Sequence, residues 1–362
     1  MKFIPISHSW VVLHPQPIGV VQFIGGALFG TIGTTFFYQN LLEFVYDRGY
    51  TIILLPFKFT FNHYQEAGFL ISEQYEILPE LVRLSVLNRY DYTAYLDNEN
   101  FYWLGHSIGC KYIALLEGFS ALPDSPRSRQ LFIEQISSKT QSLKRQRLII
   151  AEIETLIQDL QRQVDRVKQY VKDLVGREII LGDKIATLFI KGQISVLMAP
   201  DNSDTQSALQ FKPLADLLDR CGWGVFPTPV ETNNLIIKSN LFNRMGLVSF
   251  ESDTTARTTV ADFISLIDKP NEKYRSIQPG GHLRPLGFSF FNIVINPFDF
   301  LYAWTRYISR IDIQKPANLT SLFQLKAAQD SELEQRVIDL YSGLQNLDRL
   351  NRESNKNLII ST

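Results

Sequence analysis

Gly105-His106-Ser107-Ile108-Gly109 decides the fold, because its flanks turn a five-residue pattern into a strand, a tight turn and a helix. Asn100-Phe101-Tyr102-Trp103-Leu104 precedes it as a short aromatic and apolar run that predicts a buried strand. Cys110 to Gly118 follows, and its apolar content with a terminal glycine predicts a helix. That context is the one a G-x-S-x-G nucleophile elbow requires. The turn holds the serine in a strained backbone conformation above the strand ends. Neighbouring chain crosses two residues to either side, where only a small residue fits, and Gly105 and Gly109 occupy those places.

Outward from the elbow, short apolar runs alternate with helical patterns. Trp10–Leu13, Gly19–Ile24 and Tyr50–Leu55 read as strands, and residues 36–48 and 66–88 read as helices. Strand character returns at Ile194–Met198, at Gly246–Phe250 and at Tyr274–Ile277, with a weaker candidate at Leu235–Lys238. Helices are expected at 211–220 and 258–267. Strands separated by helices imply a mostly parallel sheet covered on both faces, here a doubly wound α/β fold. Leu322, Leu325, Ala328, Leu333, Val337, Leu340 and Leu344 suit a C-terminal helix or helix pair over 321–347, and 350–362 reads as frayed.

One segment breaks the rhythm. Pro123, Ser125 and Pro126 mark a linker, after which residues 128–175 are polar, charged and almost free of glycine and proline. Ile150, Ile153, Ile157, Leu160, Val164, Val167, Val171 and Leu174 form a heptad seam. So narrow a stripe calls for one partner helix, either a helical hairpin or lid within the chain, or a second subunit paired through residues 150–174, with an ordinary surface helix packed on the core as the plainer alternative. The resulting division is a first part of the core at 1–122, a helical insertion or lid at 123–190, a second part of the core at 191–310, and a helical extension at 311–362.

A serine hydroxyl becomes nucleophilic when a histidine takes its proton, and that histidine needs an orienting carboxylate. In this topology the chain order is serine, acid, histidine. His282 is the one histidine after Ser107, and it follows the last expected core strand. Asp253, just beyond Gly246–Phe250, is the first choice of acid, with Glu251, Asp201 and Asp204 as alternatives. Oxyanion donors are expected at the backbone of Ile108 and, in Gly25-Gly26-Ala27-Leu28-Phe29-Gly30, of Ala27, with Leu28 next. His63, beyond the Tyr50–Leu55 strand, is a candidate substrate contact. His106 reads as a residue that packs or bonds locally, and Cys110 as buried. The glycine spacing does not fit a dinucleotide fingerprint, and no Gly-Lys-Ser or Gly-Lys-Thr of a phosphate loop occurs. No cofactor or metal is expected.

Composition narrows the partners. The 362 residues carry a formal net charge of −1, which argues against general affinity for nucleic acid or anionic lipid. No apolar stretch reaches transmembrane length, although peripheral membrane association stays open. The N-terminal residues lack a signal-peptide pattern, and Cys110 and Cys221 do not make a disulfide framework, so a reducing compartment is expected. With 25 Phe and 15 Tyr, the chain suits an apolar cleft. The expected ligand is a small acyl substrate or another apolar molecule.

The elbow, the Gly25-Gly26 loop and the late His282 resemble the alpha/beta-hydrolase superfamily. More closely, the chain resembles the DUF1350 family of cyanobacteria and plastids. The resemblance rests on Phe23–Gly30 with Tyr38, on Gly105–Lys111, on Pro227–Thr232, and on Pro279-Gly280-Gly281-His282-Leu283-Arg284-Pro285. It implies a hydrolase fold and a cytoplasmic or plastid-stromal setting, but no particular substrate. The stretch Phe250-Glu251-Ser252-Asp253 departs from the family's arginine-bearing, aspartate-rich pattern, so the resemblance leaves the acid open. A serine hydrolase of an ester, thioester or related acyl compound is the first functional expectation. A catalytically inactive hydrolase-fold protein that binds a partner or apolar ligand is the second.

Overall fold

The computed structural model describes residues 1–27, 29–137, 143–181, 184–190, 193–202, 224–239, 242–267, 271–290, 293–301, 323–325 and 333–360. Leu28, Asp204, Cys221, the expected helix at 211–220, Leu322 and Ala328 lie outside them. Eight strands form the central sheet: β1 Ile4–Ile6, β2 Ser9–Val12, β3 Gly19–Ile24, β4 Tyr50–Leu54, β5 Phe101–His106, β6 Ile194–Met198, β7 Met245–Phe250 and β8 Arg275–Gln278. Their order across the sheet is β1-β2-β4-β3-β5-β6-β7-β8. From β4 to β8 every pairing is parallel, whereas β1 and β2 form an antiparallel edge. β3, β4, β5 and β6 are buried along their whole length, which is why they read as continuous apolar runs rather than as alternating ones.

The strand order reverses at β3. The chain leaves β3 to reach β4 on one side, then returns to lay β5 on the other. The loops after β3 and β5 therefore diverge from adjacent strand ends and open a crevice at the carboxyl edge. After β3 come α1 Thr34–Phe37 and α2 Gln39–Asp47. After β4 comes α3 His63–Asn88, whose N-cap Asn62 accepts the Gln65 amide. After β5 comes α4 Ile108–Phe119. Two apolar cores result: one combines the sheet with α3, α4 and the insertion, and the other combines it with α2 and a C-terminal helix.

The junction of β5 and α4 is closed by two glycines. A Cβ on Gly109 would lie 2.2 Å from the Ile24 carbonyl oxygen, and one on Gly105 would lie 2.7 Å from Ile113 Cδ1. Only hydrogen at position 109 lets α4 pack against the end of β3, as the elbow pattern requires.

The insertion consists of α5 Pro126–Ile136 and α6 Leu143–Val175. Ile153, Ile157, Leu160, Val164, Val167 and Val171 are buried as a continuous stripe, with Ile149 rather than Ile150 at its start and Leu174 exposed at its end. Within the chain the seam is covered chiefly by α3, a core helix, with α5 beside it. Gly68 of α3 lies under Leu156, where a Cβ would come within 3.0 Å of Leu156 Cδ2. Polar contacts frame the seam: Arg129 Nε donates to Glu154 at 2.6 Å and Gln163 donates to Glu76 at 3.0 Å.

Further along lie α7 Ile185–Leu188, α8 Pro229–Ser239, α9 Arg257–Ile267 and α10 Gln335–Ile360, with a small sheet of β9 Phe288–Phe290, β10 Ile293–Ile295 and β11 Phe323–Leu325. Three expectations are corrected. Leu235–Lys238 lies in α8 and not in a strand: Leu235 and Ile236 are buried, and Leu235 packs over Gly118 of α4. A short apolar run cannot by itself separate the two periods. Leu325 lies in β11 and not in a helix, and 350–360 continues α10 rather than fraying. No described helix is long and apolar enough to cross a membrane.

Two measurements check this packing. Leu160→Ala, which empties a fully buried site on the seam, should cost about 2–5 kcal/mol in denaturant unfolding, with molar mass unchanged across concentration. A mass that drops on substitution would show that the seam joins two chains instead. Gly109→Ala should lower the melting temperature by the equivalent of about 1–3 kcal/mol or prevent folding, because a backbone carbonyl cannot step aside as a side chain can.

Candidate functional site

Ser107 occupies the turn between β5 and α4 with φ 55° and ψ −125°, a left-handed conformation that a non-glycine residue adopts only under constraint. The constraint is visible in the backbone. Its N–H donates to Met198 O at 3.0 Å, and its C=O accepts from Cys110 N at 3.0 Å and from Asp201 N at 3.2 Å. Ile108 begins α4, where an amide has no intrahelical acceptor. The helix N-terminus thus faces the serine and favours negative charge beside it.

His282 is presented by the loop after β8. Gly280 turns that loop at φ 115°, and Gly281 N donates to both carboxylate oxygens of Asp299 at 3.0 and 3.1 Å. Asn296 Nδ2 donates to Arg284 O at 3.0 Å, and Gly287 N donates to Phe37 O at 2.7 Å. Each end of the loop is thereby tied to an independent element. The His282 ring spans two partners: Nε2 lies 2.9 Å from Ser107 Oγ, and Nδ1 lies 2.9 Å from Asp253 Oδ2.

Asp253 sits on the turn after β7. Its Oδ1 accepts from Thr255 N at 2.8 Å and Ala256 N at 3.0 Å, which leaves Oδ2 for the imidazole. Burial alone would raise its pKa, but the His282 hydrogen bond and charge, with the two amides, hold it below the ordinary carboxylate value. The carboxylate can only accept, so His282 Nδ1 carries the proton and Nε2 offers its lone pair to the serine hydroxyl.

The other described candidates are not bonded to the His282 ring. Glu251 is exposed at the end of β7, with its amide bound to Gln278 O. Asp201 supports the elbow through its amide, as above. His63 is 2% exposed with its ring edge-on to Tyr112, and burial together with the nearby Lys111 charge lowers its pKa to about 3. Its ring is thus neutral and packed in the core. Ala27 is exposed in the loop after β3, and its carbonyl accepts from Thr31 Oγ1 at 3.1 Å. Cys110 is buried, its thiol directed at Met198 O. Among the described residues, no cluster of three or more His, Cys, Asp or Glu side chains could hold a metal ion.

Two residues at the site had no signal in the spacing of motifs. Tyr38 and His106 are both buried, and their hydroxyl and Nδ1 are 2.7 Å apart. Tyr38 also accepts from Gly26 N at 2.8 Å, and His106 Nε2 lies 2.8 Å from His282 O. His106 was legible as a residue that packs or bonds locally, and Tyr38 only as part of a family resemblance. Asp299 and Asn296, which brace the His282 loop, were not legible at all.

Residues 2–144 match the family described as "Protein of unknown function (DUF1350)". No curated protein matches the chain. Solved structures similar to it include a carboxylesterase of Lactobacillus plantarum, at 8% identity over 78% of this chain and 84% of that one, with a TM-score of 0.40. A sugar hydrolase of Lactococcus lactis is similar at 11% identity over 78% and 84%, TM-score 0.37. An esterase of Thermogutta terrifontis is similar at 10% over 75% and 76%, TM-score 0.35.

Proposed function

We propose that this protein is a serine hydrolase of esters, thioesters or related acyl compounds. The observation that carries the reading is the continuous line from Ser107 Oγ through His282 to Asp253, two contacts of 2.9 Å supplied by three separate strand ends. Such spacing is that of a nucleophile, its base and the group that orients the base. His282 Nε2 takes the hydroxyl proton as Ser107 Oγ attacks the carbonyl carbon. The imidazolium is stabilised by Asp253 and returns the proton to the departing alcohol or thiol. Water then repeats the sequence on the acyl-enzyme, with His282 again as base. The Ile108 and Ala27 amides are assigned to the oxyanion, the first aided by the N-terminus of α4.

The surroundings support an apolar acyl group. Phe29 of the loop after β3 packs against Phe37 and Phe298, both at 4.9 Å between ring centroids. Phe36 extends this arc and stacks on Phe288 at 4.9 Å, while remaining 50% exposed. Phe29, Phe37 and Phe298 are half-buried against the core, and Phe36 leaves an apolar face open to a ligand. On another side, the first turns of α6 reach the loop before α8: Arg145 lies over the Phe226 ring at 4.0 Å and donates to Gly224 O at 3.0 Å. This supports a covering role for the start of the insertion, which would limit water at the acyl-enzyme.

A fluorophosphonate probe should label the wild type at Ser107 and leave Ser107→Ala unlabelled, and a long-chain alkyl probe should react faster than an ethyl one. Folded wild-type protein that resists every such probe would overturn the hydrolase reading. Asp253→Asn should fold yet lose activity on the order of 10⁴-fold, the size of a wrong-tautomer effect. The Thr255 and Ala256 amides would hold the asparagine oxygen, turning its NH2 toward His282 Nδ1. That would force the proton onto Nε2, where it cannot accept from serine. Wild-type-like turnover in this variant would remove Asp253 from the reaction.

A further inference from the structure

We infer that Tyr38 and His106 are positioning residues, which set the oxyanion loop and the His282 backbone relative to Ser107 through one directed chain of hydrogen bonds. The inference rests on the hydrolase reading above for its catalytic meaning, and on geometry alone for its existence.

The direction of every proton follows from the partners. His282 O is a carbonyl and only accepts, so His106 Nε2 must carry a hydrogen and donate. Burial, and secondly the neighbouring His282, lower the His106 pKa to about 3, so its ring is neutral and Nδ1 keeps a lone pair. Tyr38 O–H therefore donates to Nδ1, and the Tyr38 oxygen accepts the Gly26 N–H. Burial raises the Tyr38 pKa, so the phenol keeps the proton that this chain requires. The resulting order is Gly26 N–H to Tyr38 O–H to His106, and His106 Nε2–H to His282 O.

Each link joins a different strand end. Gly26 follows β3, His106 ends β5, and His282 follows β8. The approach is close as well as polar: a Cβ on Gly26 would lie 3.1 Å from His106 Nδ1 and 3.3 Å from Ser107 Cβ. Occupying the Gly26 amide also decides which amide of the loop is left for the substrate. It fixes the plane of the Gly25–Gly26 peptide, and the Gly26 carbonyl, which accepts from Gly30 N at 2.6 Å, fixes the next plane and with it the aim of the Ala27 N–H. A neutral His106 has a further merit. The two imidazoles are 5.4 Å apart between centroids, and a cation at position 106 would oppose the imidazolium that His282 must become.

Tyr38→Phe separates positioning from packing, since it keeps the ring and deletes one hydroxyl. It should lower kcat about 10- to 100-fold with KM within about 2-fold, because a displaced oxyanion donor acts in the transition state and not on bound substrate. Affinity for an alkyl boronic acid, whose serine adduct is tetrahedral, should fall by the same factor as kcat/KM. A merely structural role would lower the melting temperature and leave that correspondence unmet. His106→Asn places an amide oxygen near Nδ1 and retains the Tyr38 contact, whereas His106→Gln retains a donor toward His282 O. The Tyr38→Phe and His106→Gln effects should be non-additive, the double variant being no worse than the poorer single one.

A readout without turnover accompanies these. In ¹⁵N NMR of histidine-labelled wild type, His106 should remain the neutral Nε2–H tautomer from pH 8 down to pH 5. A His106 that protonates in that range overturns the chain whatever the activity. If the probe labels Ser107 but Tyr38→Phe keeps wild-type kcat and boronate affinity, the positioning role fails and the triad stands. If wild type is never labelled, the hydrolase reading fails and the positioning role with it, and the NMR result alone judges the hydrogen-bond chain.

Discussion

The packing of α4 against the end of β3 is the constraint on which the rest depends. With 2.2 Å between a notional Cβ at Gly109 and the Ile24 carbonyl, helix and strand meet backbone to backbone. That approach forces the turn between β5 and α4 to be sharp, and the sharp turn forces Ser107 into a left-handed conformation. It also brings the loop after β3 onto the elbow, so that Gly26 lies against His106 and Ser107. Ser107 and the loop after β3 are thus set by one contact, which no pairwise side-chain interaction could replace.

The strain is held by redundancy. Ser107 is anchored through its own amide and carbonyl to β6 and the turn after it. The acid turn and the histidine loop are joined directly, Ser252 N donating to Gly280 O at 2.9 Å. Buried polar groups here are bonded on several sides, so a small displacement would leave more than one group unsatisfied. This is a rigid site on strand ends, while the apolar arc is drawn from separate elements, with Phe29 in the loop after β3, Phe36 in α1 and Phe298 in a helical turn after β10.

The insertion shows how a seam can be read correctly while its partner stays open among several. A stripe of period near 3.5 in α6 states that one helix must cover it, and Ile153 to Val171 are covered. Which helix does so is a matter of the three-dimensional path. α3 presents Gly68 to Leu156, and a glycine within a long helix is visible in the sequence only as a mild cost. Leu235–Lys238 failed for a related reason. Its apolar run is too short to carry a period, and burial against α4 decided the matter in favour of helix.

The core architecture was legible from local patterns: buried parallel strands are apolar throughout, and an elbow needs small residues at two fixed positions. Ser107 and His282 were legible because motif and chain order left one residue of each kind. Asp253 was only the first choice among four carboxylates, since several acids follow strands and sequence distance carries no direction in space. Its placement came from the turn after β7, where the Thr255 and Ala256 amides turn one carboxylate oxygen away and leave the other for the imidazole. The partners of Tyr38, His106, Asn296 and Asp299 were decided by tertiary structure alone. Their roles are hydrogen bonds between elements far apart in the chain, and a hydrogen bond depends on distances and angles that periodicity and spacing do not encode.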